Sequence, residues 1–384
     1  MAPPTLPFTP PALRRRTVAL GLGALGLWPG AAPGLPARTL QFPRDHGSHP
    51  DLHTEWWYLT GHVQAAGRLW GFQVTFFRSR VDATQGLQSA FAAKQLLFAH
   101  AALTDVQGQR LHHDQRIARA GFGVAQASEA DTAVRLRDWS LARTALPSNT
   151  SNNSYTGSRY VARIVGEGFG LDLQCDTAQP PLLQGRQGLS RKGPETSQAS
   201  YYYSQPQLAV SGAIVLNGRR MTIESGTTNS NPSANRAWLD HEWSDALMHP
   251  EAVGWDWIGM NLEDGSALTA FRLRRSDGSA LWAGGSLRTG AGVLRVFTAD
   301  EVRFEPEGFW TSPHTQTRYP TRWRVHTPAG LFSVQALLDD QELDSRSSTG
   351  AVYWEGLSEL RNAQGQRVGR GYLEMTGYAT ALKL

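Results

Sequence analysis

Hydrophobic and polar residues alternate with a period of two along most of this chain, which is typical of β-strands. Residues 69–77 and 96–104 each follow the pattern for a whole strand, and residues 56–60 form an aromatic-rich run of the same kind. Hairpin signals such as Asn217-Gly218 separate these runs. Because helical periodicity is scarce, the sequence predicts an all-β protein built from antiparallel barrels or sandwiches.

Two domains are expected from the length and from an internal similarity. The chain has 384 residues, which is more than one hydrophobic core usually contains. Residues 55–80 and 255–274 share the order aromatic strand, turn and strand ending in arginines. Prolines and glycines concentrate in residues 180–206, which is typical of a connecting loop. We therefore predict an N-terminal domain over residues 38–205 and a C-terminal domain over residues 206–384.

The first 37 residues differ in character from the rest of the chain. Three arginines at 14–16 precede an apolar run at 17–27, and small residues and prolines continue to Ala37. This order predicts a signal peptide over residues 1–37, and its apolar run is too short to span a membrane. The paired arginines favour the twin-arginine route, with an ordinary Sec signal as the alternative. We expect a periplasmic or secreted protein whose mature form has no membrane span.

The formal net charge of +4 does not indicate a nucleic-acid partner. Three of the 37 basic residues lie in the leading segment, and the other 34 nearly balance the 33 acidic residues. No basic stripe remains that could follow a phosphate backbone. The chain has a single cysteine, Cys175, so its stability must come from its core and not from an intramolecular disulfide.

Carboxylates next to tryptophans are the most unusual feature of the sequence. They occur in residues 55–57, 238–243 and 255–257. Aromatic rings that remove water from a carboxyl group raise its pKa, so the group can act as a general acid at neutral pH. Indole faces can also stabilise a developing carbocation by cation–π attraction. These three segments are therefore the candidates for chemistry.

The period of two assigns the side chains of the second segment to faces. Asp240 and Glu242 share one face of their strand with Trp238, whereas His241 and Trp243 share the other. Two carboxylates on one face beside an indole ring favour a functional role for Asp240 and Glu242.

Each carboxylate also has a structural alternative, as the partner of a buried arginine. Arginines are available in residues 78–80 and 272–274. Asp256, which points away from Trp255 and Trp257 if its segment is a strand, is one carboxylate for which this role stays open.

A metal site is a further alternative. His46, His49 and His53 are spaced as ligands could be, and His241 with Glu242 could complete the set. However, the sequence has no H-E-x-x-H pattern, and a loop with glycine and proline does not fix the spacing of the first three histidines. We therefore expect no metal. The G-x-S-x-G motif of serine hydrolases is absent as well.

Aromatic and charged motifs spread along the chain carry a family resemblance. They lie at residues 42–47, 55–58, 71–78, 99–105, 200–204, 238–243, 254–257, 353–356 and 371–378. In these motifs the sequence resembles the carotenoid 1,2-hydratase (CrtC) and AttH-like family, whose secreted members are often called predicted secreted hydrolases. The resemblance implies two lipocalin-like antiparallel β domains in tandem, with a site for a hydrophobic isoprenoid- or lipid-like molecule.

The resemblance also implies cofactor-free hydratase chemistry, in which a carboxyl protonates an alkene and water adds to the cation. Asp240 is then the expected acid, and His241 the group that orients it or the water. The other catalytic candidates are Glu242, Glu55 and Asp256. The expected ligand-binding residues are Trp56, Trp57, Tyr58, Tyr202, Trp243, Trp255, Trp257 and Trp354.

Two other functions stay open at this point. The protein could be a non-enzymatic lipid carrier that works with an ABC exporter, as the AttH branch of the family implies, or a hydrolase of a hydrophobic ester. Carotenoid hydratases act where pigments are made, so the predicted signal peptide favours the exported branch and argues against a carotenoid substrate. A pH titration of activity would separate an acid catalyst from a carrier.

Overall fold

Antiparallel β-strands make up nearly all of the regular secondary structure of the protein, which is described from a computed structural model. It describes residues 34–147, 156–225, 234–246 and 248–382. The predicted signal peptide, apart from its last four residues, lies outside this range. Helical structure in the described ranges is limited to 3₁₀ turns at Arg44–His46 and Asp82–Thr84, and no helix there has the length and hydrophobicity to cross a bilayer. The predicted all-β, antiparallel fold is confirmed.

The first sheet has 14 strands in the described chain. They are β1 (Thr54–Ala65), β2 (Arg68–Arg80), β3 (Gln95–Asp105), β4 (Arg110–Arg119), β5 (Ala125–Ala127), β6 (Ala133–Leu136), β7 (Trp139–Ala145), β8 (Ser158–Val165), β9 (Phe169–Asp176), β10 (Leu182–Leu183), β11 (Leu189–Arg191), β12 (Ala199–Leu216), β13 (Arg219–Thr222) and β14 (Arg236–Ser244). The strand order is β4-β3-β2-β1-β14-β12-β9-β8-β7-β6-β5, and β10, β11 and β13 pair with β12.

The second sheet has 10 strands. They are β15 (Gly254–Leu262), β16 (Ala267–Arg274), β17 (Ala280–Arg288), β18 (Leu294–Phe297), β19 (Arg303–Thr311), β20 (Arg318–Thr327), β21 (Gly330–Ala336), β22 (Glu342–Ser345), β23 (Ala351–Arg361) and β24 (Arg367–Met375). The strand order is β18-β17-β16-β15-β24-β23-β21-β20-β19, and β22 pairs with β23.

The two sheets repeat one topology. Each begins with a four-stranded meander, β1 to β4 in the first sheet and β15 to β18 in the second. In each sheet the first strand then pairs with the last strand of the same sheet, β1 with β14 and β15 with β24. The internal similarity seen in the sequence therefore marks the two equivalent opening hairpins.

The first sheet curls into a nearly closed barrel. Its β4 end returns to the strands at the other end, where the Arg116 guanidinium lies 4.7 Å from the centre of the Trp139 ring. The same side chain donates a hydrogen bond of 3.3 Å to the carbonyl of Val165. Closure places the inward-facing side chains in one apolar core, because alternate residues of every strand then point to the same interior.

The change of sheet does not fall where the sequence analysis placed the domain boundary. Residue 205 lies within β12, and the chain leaves the first sheet only between Ser244 and Gly254. Pro206, at the end of the stretch predicted as a loop, is accommodated by a bulge, since the register of β12 on β14 shifts between Gln205 and Leu208. Prolines within sheets are tolerated at such bulges.

The two sheets also pack against each other through their central strands. An apolar cluster between them includes Tyr58, Trp238, Trp257 and Tyr372. The Trp257 ring meets Tyr58 and Trp238 edge to face, with centroid distances of 5.5 and 6.3 Å. Consequently β1 and β14 are covered on both faces, and both faces can carry function.

Asp256 lies in the core of the second sheet. Its carboxylate accepts hydrogen bonds from Arg272 Nε (2.7 Å) and the Tyr378 hydroxyl (2.8 Å), and Arg274 Nε lies 3.1 Å away. The carboxylate is fully buried and both arginines are largely so. This ion-paired network corresponds to the structural alternative for Asp256.

Replacing Asp256 with Asn should lower the free energy of unfolding by about 3–5 kcal/mol, because it leaves two buried guanidinium groups without their counter-charge. Urea unfolding followed by tryptophan fluorescence measures this change. The matched control is Asp138→Asn at an exposed position, which should change stability by less than about 0.5 kcal/mol. Equal stabilities of the two variants would contradict the assignment.

Candidate functional site

A cavity of about 80 Å³ lies between the two sheets, where β1, β2, β12 and β14 face β15, β16, β23 and β24. Its lining residues are Trp56, Tyr58, Thr75, Phe77, Lys192, Tyr202, Asp240, Glu242, Met248, Trp255, Trp257, Phe271, Leu273, Tyr353, Glu355 and Glu374. The wall is thus largely aromatic, with four carboxyl groups and one ammonium group. This volume holds several water molecules or the end of a larger apolar ligand.

Strand pairing brings the acids of the first sheet beside its aromatic residues. Tyr58 of β1 stands opposite Asp240 of β14, and Trp56 stands opposite Glu242. On the other side of β14, Tyr202 of β12 is the partner of Glu242. Because residues two apart share a face, all five side chains point to the cavity.

Asp240 is held by neutral donors only. Its carboxyl accepts hydrogen bonds from the Tyr202 hydroxyl (2.8 Å), the Ser204 hydroxyl (2.5 Å) and Trp238 Nε1 (2.7 Å). Burial raises the pKa of Asp240 to about 7, although these three hydrogen bonds act in the opposite direction. Within the described ranges no lysine, arginine or histidine forms an ion pair with it. A substantial fraction of Asp240 is therefore protonated at neutral pH.

Glu242, two residues along the same strand, has a different environment. It forms an ion pair of 2.9 Å with Lys192 Nζ and accepts a hydrogen bond from the Ser200 hydroxyl. The Lys192 ammonium lies 4.6 Å from the ring centres of both Tyr202 and Phe271. Glu242 thus has a cationic partner, whereas Asp240 has none among the described residues. A difference of this kind can divide acid and base roles between two carboxyl groups.

The second sheet contributes another pair of acids to the opposite wall. Glu355 and Glu374 stand directly opposite each other on β23 and β24. Burial raises the pKa of Glu374 to about 7, and burial followed by the Glu374 charge raises the pKa of Glu355 well above its usual value. The Tyr58 hydroxyl is buried beside Glu355, and its interaction with that carboxyl acts to lower the pKa of Glu355, against the larger effect of burial. The pair places a polar group in the aromatic wall of the cavity.

Glu55 lies on the other face of the first sheet and forms the centre of a polar network inside the barrel. It accepts hydrogen bonds from His49 Nδ1 (2.8 Å), His241 Nε2 (2.9 Å), Arg78 Nε (2.8 Å) and the Ser48 hydroxyl (2.9 Å). Burial alone would raise its pKa, but His241 and His49 hold the pKa of Glu55 well below its usual value. Burial lowers the pKa of His241 to about 4. Glu55 is therefore an ionised structural group.

His49, Glu55 and His241 are also the residues that could hold a metal ion, since their possible ligand atoms lie within 4.8 Å of one another. The geometry does not favour this role. Both ring nitrogens that face Glu55 are at hydrogen-bond distance from it, and Arg78 already balances its charge. A cation would have to displace these interactions.

The structure divides the predicted site residues among three places. Those that line the cavity are Trp56, Tyr58, Tyr202, Asp240, Glu242, Trp255 and Trp257. Those that belong to the barrel interior are Glu55, Trp57, His241 and Trp243. Those that belong to the core of the second sheet are Asp256 and Trp354.

The His241 side chain therefore lies on the opposite face of β14 from Asp240. It cannot orient the Asp240 carboxyl directly, contrary to the expectation from the sequence. Trp57 stacks on the His241 ring at 4.6 Å and Trp243 on the His49 ring at 3.9 Å, both inside the barrel. The physical reason is the alternation itself, which sends adjacent residues of one strand to opposite faces.

The residues that sequence reasoning missed are Lys192, Glu355 and Glu374. Glu355 could have been found, because the period of two places Tyr353 and Glu355 on one face and Trp354 on the other. Lys192 gave no such signal, since it follows β11 in a stretch of irregular composition.

The family model for AttH-like proteins matches residues 33–378. The chain belongs to the AttH-like family. An AttH protein from Nitrosomonas europaea has a solved structure that is 45% identical to this AttH-like chain, with a TM-score of 0.79 over 90% of this chain and 99% of that one. The family resemblance inferred from the sequence is confirmed. No curated protein sequence matches the chain significantly.

Two solved structures of low identity share the fold. Kievitone hydratase from Nectria haematococca is 13% identical with a TM-score of 0.65, over 89% of this AttH-like chain and 94% of that one. The protein CghA is 13% identical with a TM-score of 0.52, over 90% and 94%. These likenesses bear on the fold alone, and they support the lipocalin-like fold expected from the sequence.

Asp240→Asn should change the pH dependence of stability in a defined direction. A carboxyl whose folded pKa is raised contributes stability below its unfolded pKa, near 4, and loses that contribution as pH rises through the folded value of about 7. The free energy of unfolding of the variant, relative to the parent protein, should therefore rise by about 1.4 kcal/mol per pH unit between these values and then level off.

Urea unfolding at a series of pH values measures this difference, and the subtraction removes the other titrating groups. The exposed Asp138→Asn variant should give a flat difference over the same range. Parallel curves for the parent protein and Asp240→Asn would show that Asp240 is ionised throughout.

Proposed function

We propose that this AttH-like protein binds a hydrophobic isoprenoid- or lipid-like molecule in the cavity between its sheets and hydrates a carbon–carbon double bond there without a cofactor. The observation that carries the proposal is the contrast between Asp240 and Glu242. One buried carboxyl has only neutral donors, and its neighbour on the same face is paired with Lys192. This is the division that a general acid and a general base require.

The proposed reaction has two steps with balanced protons. Asp240 donates its proton to one alkene carbon, and a carbocation forms at the other carbon. Water held by Glu242 adds to the cation and gives its proton to Glu242, and proton exchange with solvent restores both groups. The net change is the addition of water, and the Trp56 and Trp257 rings in the wall stabilise the cationic intermediate.

The ligand is defined by the lining of the cavity. Aromatic rings on both walls favour an apolar group, and the buried Tyr58 hydroxyl and Glu355 carboxyl, which lie beside each other, favour one hydroxyl or carbonyl near it. A volume of about 80 Å³ takes the reacting end, so the remainder of a long ligand has to extend beyond the cavity. Kievitone hydratase, a neighbour in fold, is named for the same class of reaction.

The place of action is part of the proposal and rests on the sequence. Arginines 14–16 and the apolar run at 17–27 support export to the periplasm or beyond. An exported protein would meet lipids of the envelope, and a carrier role beside an ABC exporter is the alternative that the following experiment distinguishes.

Incubation with a panel of acyclic isoprenoid alkenes and envelope lipids in ¹⁸O-labelled water should yield an alcohol that carries ¹⁸O. Asp240→Asn should lower turnover by about 100-fold or more, because the variant has no proton to donate. The turnover number should fall about tenfold per pH unit above pH 7 as Asp240 ionises. Mass spectrometry of products and of molecules still bound gives the readout.

Two variants keep the result interpretable. Glu242→Gln should also lose turnover, whereas the exposed Asp138→Asn should retain it. Circular dichroism establishes that each variant is folded. The carrier role would replace the hydratase proposal if a ligand bound tightly and was recovered chemically unchanged. In that case Asp240→Asn should bind the ligand as tightly as the parent protein does.

A further inference from the structure

Two loops at one end of the first sheet present large apolar side chains to solvent. Phe91, in the connection from β2 to β3, is 75% exposed, and Phe122, in the connection from β4 to β5, is 59% exposed. Their rings stack on each other at 5.5 Å. Leu87, on the first of these loops, is 51% exposed. Adjoining exposed apolar groups of this kind mark interaction surfaces more often than isolated ones.

Two guanidinium groups lie against these loops, and a third arginine stands at the adjoining turn. Arg119 lies 4.2 Å from the centre of the Phe122 ring and donates a hydrogen bond of 2.6 Å to the Phe91 carbonyl. Arg135 donates a hydrogen bond of 2.7 Å to the carbonyl of Gly123, and the backbone of the exposed Arg137 bonds to Val124 at the same turn. Among the described ion pairs none involves these three arginines.

Acidic residues scarcely offset this charge. Asp82, in the β2–β3 connection, is paired with Arg80 at 3.1 Å. The β4–β5 connection has no acidic residue, and Asp138 follows Arg137 at the neighbouring turn. The surface therefore combines protruding aromatic rings with an excess of positive charge.

We propose that this aromatic–arginine patch, formed by Leu87, Phe91, Arg119, Phe122, Arg135 and Arg137, docks the protein on a lipid bilayer that contains anionic phospholipids. The rings fit the boundary between headgroups and acyl chains, and the guanidinium groups complement lipid phosphates. Binding of lipid phosphates requires several arginines that are not already paired with carboxylates. The three arginines of the patch meet this requirement among the described residues. The proposal does not depend on the hydratase reaction.

Site-specific fluorescence tests the patch on the full chain. Cys175 is fully buried, so a thiol dye labels only a newly introduced cysteine. In Phe91→Cys or Phe122→Cys, vesicles of phosphatidylcholine and phosphatidylglycerol with brominated acyl chains should quench the dye. In Val293→Cys, a matched position that is 66% exposed in the connection between β17 and β18 of the second sheet, the dye should stay unquenched. Residues 1–37 are the same in every variant. A difference in dye quenching between the labelled positions therefore reports which surface contacts the vesicle.

The charge component has its own measurement. Arg135→Gln combined with Arg137→Gln should weaken partitioning onto the anionic vesicles by roughly fivefold for each arginine. Arg219→Gln, at an exposed position remote in sequence, should leave it unchanged. Equal quenching at positions 91 and 293, or none at 91 and 122, would overturn the proposal. So would a dye response that depends on protein concentration without vesicles, since it would identify a second copy as the occupant.

Discussion

The pairing of β1 with β14 is the constraint on which the rest of the site depends. Both strands are covered on both faces, and neighbouring residues of each strand must therefore serve different interiors. Glu55 and His241 enter the barrel, whereas Trp56 and Asp240 enter the cavity between the sheets. The β1–β14 pair thus carries the charged network around Glu55 on one face and the aromatic cavity with Asp240 on the other. A shift of the strand register would therefore move both sites together.

Glu55 and Asp240 show that burial alone does not decide the state of a carboxyl. Removal from water can raise a carboxyl pKa by about 3–5 units. Glu55 overcomes this effect because a guanidinium and two imidazole rings donate to it. Asp240 does not, because hydroxyl and indole donors stabilise the carboxylate less than charged donors do. The Arg78 guanidinium beside Glu55, which has no counterpart beside Asp240 in the described part of the chain, therefore separates an ionised carboxylate from a candidate acid.

Much of the local structure follows from the sequence, and little of the assembly does. Alternation predicts the strands and the face of each residue, including the separation of Asp240 from His241. It does not say which sheet lies against which face, because that depends on contacts between distant segments. Glu374 and Lys192 join the cavity only through such contacts. The sequence also did not show that the stretch around residue 205 is a strand, since a bulge lets this proline-containing segment stay paired in the first sheet.

The aromatic wall has two effects on the proposed chemistry that reinforce each other. By excluding water it raises the pKa of Asp240, so that a proton is available at neutral pH. The same exclusion leaves few water molecules to capture a cation at the wrong carbon. In the proposed reaction the water that adds is the one beside Glu242, which is paired with Lys192. A cavity of about 80 Å³ is consistent with this requirement, because a larger wet space would stabilise ionised Asp240 and remove the acid.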